Sequence, residues 1–221
     1  METRSIIITA GGIGKRMGTD QPKQFLELLG RPVLIHTLER LYHFIPGCQL
    51  VLTLPEQYIE DWKELCTQYD CHIEHLIVAG GEERYHSIKN ALAVCTGDII
   101  AVHDGVRPLV SKATIERLFD AVVTHKAVIP VVEIKESLRR IDGTNSEAVH
   151  RAAYRIVQTP QVFHAPVIRN AYNIDFHESI TDDASLVEES GEAIYLVDGN
   201  EENIKITTPS DLAVAMLFLS K

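Results

Sequence analysis

Short Ile- and Val-rich runs alternate with segments of helical period along nearly the whole chain. That alternation constrains the fold more than any other feature, because strands that read as continuous apolar runs must be covered on both faces. It is the mark of βαβ units around a mostly parallel sheet with helices on both sides. Strands are expected at Ser5–Ala10, Gln49–Leu54, Ile73–Val78, Asp98–His103, Ala127–Ile134 and Ala193–Val197, with a short one at Asn203–Thr207. Helices are expected near Pro32–Phe44, Gln57–Gln68, Tyr85–Val94, Lys112–Thr124, Ala165–Tyr172, Asp182–Glu189 and Ser210–Leu219. With 221 residues, 45% of them hydrophobic, and no Pro/Gly linker or internal repeat, the chain is expected to be one domain, residues 1–221.

One region breaks the alternation. From Ser137 to Val157 the sequence is polar-rich, with an Asp142-Gly143 turn signal between short extended segments. It has too few apolar residues to be an inner strand, so it is expected to project as a β-hairpin arm that either lies in solvent or packs on a partner, of which an arm packed on a second copy of the chain is the favoured reading.

Charge and cysteine usage exclude several classes. The chain carries 21 Lys+Arg against 31 Asp+Glu, a formal charge of −10, without a basic run, which disfavours nucleic acid as a partner. No apolar stretch approaches the ~18–20 residues of a membrane span, and the N-terminus lacks the pattern of a secretory signal, so a cytoplasmic protein is expected. Four cysteines are too sparse for a disulfide scaffold, and Cys66, Cys71, His72 and His75 lack the spacing of a structural zinc site, so they read as packing residues. No G-x-S-x-G elbow offers a nucleophile.

The first expected strand runs into TAGGIGKRMGTDQPKQF, in which Gly11, Gly12 and Gly14 are followed by Lys15, Arg16 and Lys23. Glycines after a strand let backbone N–H groups approach phosphate oxygens, and the cations compensate their charge. The spacing does not fit Walker A, and Met17 stands where a dinucleotide fingerprint needs a small residue. What remains looks like the signature of nucleotidyltransferases that join a nucleoside triphosphate to a phosphorylated small molecule. Further segments follow: AGGEERYHSIKNAL (79–92), HDGVRP (103–108), TPQVF (159–163), TDDAS (181–185) and NIKITTPSDL (203–212). Asp104 is expected at the carboxyl end of its strand, where open α/β sheets bind ligands and a carboxylate can hold Mg²⁺ or orient a substrate. Pairing with Arg107 is its structural alternative, and helix capping is the expected role of Asp182 and Asp183.

Taken together these segments resemble the 2-C-methyl-D-erythritol 4-phosphate cytidylyltransferase family over essentially the whole chain. The resemblance implies a Rossmann-like α/β fold, transfer of CMP from CTP to the acceptor phosphate with Mg²⁺, and a homodimer with exchanged arms. It implies that Arg16 and Lys23 stabilise the transition state, and that Lys205 and Arg151 position the acceptor, Arg151 in the partner's site. Ala10, Gly11, Gly12, Gly14, Gly81, Glu82 and Ser87 would bind CTP. Asp104, Gly105 and Arg107 would lie beside nucleotide and acceptor, with Ser137 and Thr159 completing the acceptor pocket. Gly105 stands where many relatives have alanine, Ser137 replaces a frequent threonine, and Thr9-Ala10-Gly11 replaces the commoner Pro-Ala-Ala; acceptor choice is where such changes would act. Two other readings stay open: a ribitol 5-phosphate cytidylyltransferase, and a nucleotide-binding module without turnover.

Overall fold

The computed structural model describes residues 2–12 and 22–220; Gly14 and Arg16 lie outside the described residues. Its elements are, in order, β1 (Arg4–Thr9), β2 (Glu27–Leu28), β3 (Arg31–Pro32), α1 (Val33–Phe44), β4 (Gln49–Leu54), α2 (Ile59–Gln68), β5 (Leu76–Ala79), α3 (Arg84–Leu92), β6 (Ile99–Asp104) and α4 (Lys112–Ala121). They continue with β7 (Ala127–Glu133), β8 (Leu138–Asp142), β9 (Asn145–Val149), β10 (Arg155–Val157), β11 (Gln161–His164), α5 (Ala165–Ala171), α6 (Asp183–Glu189), β12 (Tyr195–Asp198) and α7 (Pro209–Leu219).

An eight-stranded sheet places β1 between β4 and β6, with β5 beyond β4, while β11 lies between β6 and β7. β1, β4, β5 and β6 are mutually parallel, and β12 is parallel to β7. β11 is antiparallel to both β6 and β7, and β10 continues that antiparallel run along β7. Six strands therefore share one direction, and four of them, β1, β4, β6 and β7, are the mostly buried apolar runs.

Successive residues of β1 serve opposite faces. Ile6 and Ile8 join Leu34, Leu38 and Trp62 of α1 and α2 and Leu118 of α4 in one buried cluster. Ile7 joins Ile88 of α3, Ile168 of α5 and Leu186 of α6 in another. Each such fully buried side chain contributes about 1.5–3 kcal/mol, so both layers are held by the sheet itself. A third cluster, with Leu28, Val33, Val106, Leu109, Ile206 and Ala215, fastens α7 beside the loop that follows β6. Among the described residues no helix is long and apolar enough to cross a membrane.

Four expectations are corrected. Asn203–Thr207 does not form a strand; in it Ile206 N–H donates to Val106 C=O at 3.0 Å and the Ile206 side chain is buried, which holds the segment extended without a ladder. The strand expected from Ile73 begins at Leu76. The arm is shorter than 137–157, because Arg155–Val157 returns to the main sheet against β7. β8 and β9 pair with each other around a two-residue loop in which Gly143 has φ +56°, a value glycine adopts without steric cost. Finally, only Asp182 caps α6, accepting from Ser185 N–H at 2.9 Å; Asp183 has another partner, described below. The sequence reading also lacked β11, which carries the chain back between β6 and β7.

Candidate active site

Three strand ends meet at one edge of the sheet. Ala10 N–H donates to Thr53 C=O at 3.0 Å, Gly80 N–H to Leu54 C=O at 2.7 Å and Gly105 N–H to Thr9 C=O at 2.8 Å, so the loops after β1, β5 and β6 are tied to the strands beside them. Between them opens a cleft of about 330 Å³ lined by Ala10, Gly11, Gly12, Lys23, Gly81, Glu82, Ser87, Asp104 and Lys205. The second loop is tight: a Cβ on Gly81 would lie 2.3 Å from His86 Cβ, so only glycine fits there. Ser87 Oγ accepts from Gly81 N–H at 3.1 Å and donates to Glu83 C=O at 3.2 Å, fastening that loop to the first turn of α3. Above the first loop, Lys23 runs so close to Gly12 that an added Cβ would meet its Cε at 3.2 Å.

A second lobe of about 320 Å³ is lined by Arg107, Val157, Gln158, Thr159, Gln161, Thr181 and Asp182, and it shares Arg84, Asp104 and Lys205 with the first. The shared wall is charged. Asp104 Oδ2 lies 3.0 Å from Arg107 Nε and 3.1 Å from Lys205 Nζ, and Oδ1 lies 3.9 Å from Arg84 Nε. Burial alone would raise the Asp104 pKa, but Lys205, Arg84 and Arg107 outweigh it and hold the carboxyl well below the usual range. Arg84 in turn grips the fully buried Asp183 with both terminal nitrogens, at 2.9 and 2.6 Å. Burial opposes the Arg84 charge, while Asp183 and then Asp104 more than compensate, so the guanidinium binds its proton more firmly than usual.

Beneath Asp104 sits His103, fully buried, its pKa lowered to about 4 chiefly by desolvation. A neutral ring with Nε2 3.0 Å from Arg107 C=O must carry its proton on Nε2, so Nδ1 accepts from Thr159 Oγ1 at 3.0 Å. Thr159 Oγ1 itself accepts from Asp104 N–H at 3.1 Å. One hydroxyl thus fixes both the backbone of Asp104 and the histidine behind it.

This arrangement can hold a polyanion over glycine loops and a second anion beside Lys205. The sequence profile of 2-C-methyl-D-erythritol 4-phosphate cytidylyltransferases matches residues 5–221. The chain belongs to the 2-C-methyl-D-erythritol 4-phosphate cytidylyltransferase family. Relatives of that name from Bacteroides fragilis and Porphyromonas gingivalis are 49% identical over 217 residues, covering 98% of this chain and 99% of the relative, and 46% identical over 221 residues, covering 99% of each. The solved 4-diphosphocytidyl-2C-methyl-D-erythritol synthase of Anaerococcus prevotii superposes with TM-score 0.84 at 29% identity, over 100% of this chain and 97% of that one. The cytidylyltransferase structure from Thermus thermophilus gives 0.78 at 28% identity, over the whole of both chains. The chain is accordingly a CTP-dependent cytidylyltransferase of isoprenoid synthesis, with 2-C-methyl-D-erythritol 4-phosphate as acceptor.

Within this cytidylyltransferase the expected residues that the structure describes fall into four groups. Ala10, Gly11, Gly12, Lys23, Gly81, Glu82 and Ser87 line the first lobe, Arg107 and Thr159 the second, and Asp104 and Lys205 both. Gly105 lines neither: a Cβ there would meet Leu34 Cδ1 at 2.9 Å, and Thr37 Oγ1 donates to its carbonyl at 2.9 Å, so it packs behind the site. Ser137 and Arg151 are exposed at the base of the arm and line neither lobe of this chain; Arg151 Nη1 donates to Lys135 C=O. Sequence reasoning missed Arg84 and Gln24. Gln24 is buried and donates to Ala10 C=O at 2.7 Å, which places the first loop. Its position beside Lys23 was the available signal, whereas the partner that gives Arg84 its meaning lies 99 residues away.

Proposed function

We propose that CTP occupies the glycine-lined lobe and the acceptor the second, so that the transfer takes place at the wall formed by Arg84, Asp104 and Lys205. The observation that carries this reading is that two lobes of similar size share those three residues. A phosphate oxygen of the acceptor attacks the α-phosphorus of CTP and pyrophosphate leaves. Because the attacking phosphate is already ionised near neutral pH, no base is needed, and catalysis rests on placement and on charge opposite the equatorial and leaving oxygens. Lys23 and Arg16 would supply that charge from the first loop, and Lys205 would hold the acceptor phosphate. The backbone of Gly11, Gly12 and Gly81, with Glu82, would seat the nucleotide, while Arg107 and Thr159 bound the acceptor lobe.

Mg²⁺ fits as an ion brought by the nucleotide. Asp104 Oδ2 is claimed by Arg107 and Lys205, so Oδ1 is the carboxylate oxygen that would hold the ion. When bound, it would neutralise charge on the triphosphate.

The reading includes a cytoplasmic homodimer, each chain one domain with an exchanged arm. Ile141, Tyr154 and Ile156 are 66%, 48% and 48% exposed, more apolar surface than a solvated hairpin needs. On this reading Ser137 and Arg151, which line neither lobe of their own chain, complete the partner's acceptor pocket. The test is pyrophosphate release from CTP and Mg²⁺ with 2-C-methyl-D-erythritol 4-phosphate or with ribitol 5-phosphate. Selective turnover of the first is expected; preference for ribitol 5-phosphate, or CTP binding without product, would overturn the assignment.

A further inference from the structure

We propose that Asp183 is a positioning residue for the transfer: by holding Arg84 it keeps the guanidinium off Asp104 and leaves Asp104 Oδ1 open to the ligands of the pocket. The inference rests on the two-lobe reading above. Asp183 lies on the first turn of α6, fully buried, and takes both terminal nitrogens of Arg84. Tyr172 Oη donates to its Oδ1 at 2.6 Å. The turn is itself anchored to β11: Gln161 Oε1 accepts from Ala184 N–H at 2.9 Å and Gln161 Nε2 donates to Asp182 at 2.8 Å. The counter-ion is therefore fixed by the scaffold and cannot follow Arg84 into the pocket.

With both terminal nitrogens committed, Arg84 presents only Nε to Asp104, and at 3.9 Å from Oδ1 that nitrogen is outside hydrogen-bond distance. Asp104 Oδ2 already has Arg107 and Lys205. Oδ1 is thus the one carboxylate oxygen on the shared wall without a donor in hydrogen-bond range among the described residues. Take away the charge of Asp183, and Arg84 has Asp104 as its remaining carboxylate, so it would close on Oδ1. A buried ion pair is weak evidence for a stability role; here the geometry gives it a different one, to divide a cation between two carboxylates so that only one is fully occupied.

The experiment compares wild type, Asp183→Asn and Asp183→Glu by crystal structure, by CTP affinity in calorimetry, and by steady-state kinetics with 2-C-methyl-D-erythritol 4-phosphate. In Asp183→Asn, Arg84 is expected within ~3.2 Å of Asp104 Oδ1, with the Kd for CTP in the presence of Mg²⁺ raised at least tenfold and acceptor KM raised with it. Asp183→Glu, which keeps the counter-charge, is expected to retain Arg84 on residue 183 and kcat/KM within threefold. A merely structural role would lower kcat with the folded fraction and leave acceptor KM alone, and that result overturns the proposal. So does wild-type kinetics in any variant whose Arg84 has closed on Oδ1. Should Asp183→Asn fail to fold, Asp183→Glu decides by the same two readouts: loss of activity with Arg84 still on residue 183 would overturn it. Absence of product from wild type would instead refute the functional reading, and this inference with it.

Discussion

Thr159→Val removes one oxygen at almost constant volume, and the structure gives its cost. The hydroxyl accepts from Asp104 N–H and donates to His103 Nδ1, and both groups are buried, His103 at 0% and Asp104 at 6% exposure. Each group left without a partner costs about 1–3 kcal/mol, so the variant should lose about 2–6 kcal/mol of stability, a large part of the ~5–15 kcal/mol that holds a typical domain. Thr159→Ser keeps the hydroxyl and gives up one methyl, at about 1 kcal/mol. Urea unfolding is the assay, followed by the fluorescence of Trp62, which is fully buried, stacked on Phe25, and donates to His75 Nε2 at 2.9 Å. Equal slopes with separated midpoints are expected. If Thr159→Val unfolds within ~1 kcal/mol of Thr159→Ser, the hydroxyl does not bear the two bonds assigned to it, and the account of how Asp104 is placed fails.

Lys23→Ala should reduce kcat by roughly 10²–10³ with less than a tenfold change in CTP Kd, measured by single-turnover kinetics and calorimetry; equal losses in both would make Lys23 a ground-state binder. Mixing inactive Arg151→Ala and Lys23→Ala subunits should recover about a quarter of wild-type activity, since half of randomly paired dimers are mixed and each of those holds one intact site. No recovery after verified subunit exchange would contradict the shared site. Gly81→Ala, whose methyl would lie 2.3 Å from His86 Cβ, should weaken CTP binding at least tenfold and cost about 1–3 kcal/mol in urea unfolding.

The parts of this molecule legible in its sequence are those that depend on local pattern. β1, β4 and β6 announce themselves because a strand covered on both faces is apolar at nearly every position. The glycine loop after β1 could be read from what its neighbours exclude. β11 was not legible: four residues between Pro160 and the start of α5 carry too little period, and the strands that bury it are far away in sequence. Asn203–Thr207 misled for the opposite reason, since its alternation of Ile204 and Ile206 is real but serves a cluster with α7 and not a ladder. Asp183 was hidden by Asp182, whose capping signal accounted for both acids until the fold brought Arg84 across. A single sequence records spacing along the chain; it does not record which distant charge will be buried opposite.

The antiparallel β10–β11 run divides the two-lobed cleft by origin. The glycine loops of the first lobe sit where same-direction strands finish, whereas Gln158, Thr159 and Gln161 sit where the reversed run crosses that edge on its way down. The wall of the second lobe therefore belongs to a detour that leaves the sheet after β7, forms the arm, and returns between β7 and β6. With the acceptor seated in the second lobe as proposed, exchanging that detour would alter which phosphorylated alcohol is admitted without disturbing a strand that carries a glycine loop, so donor and acceptor preference could diverge independently on this scaffold.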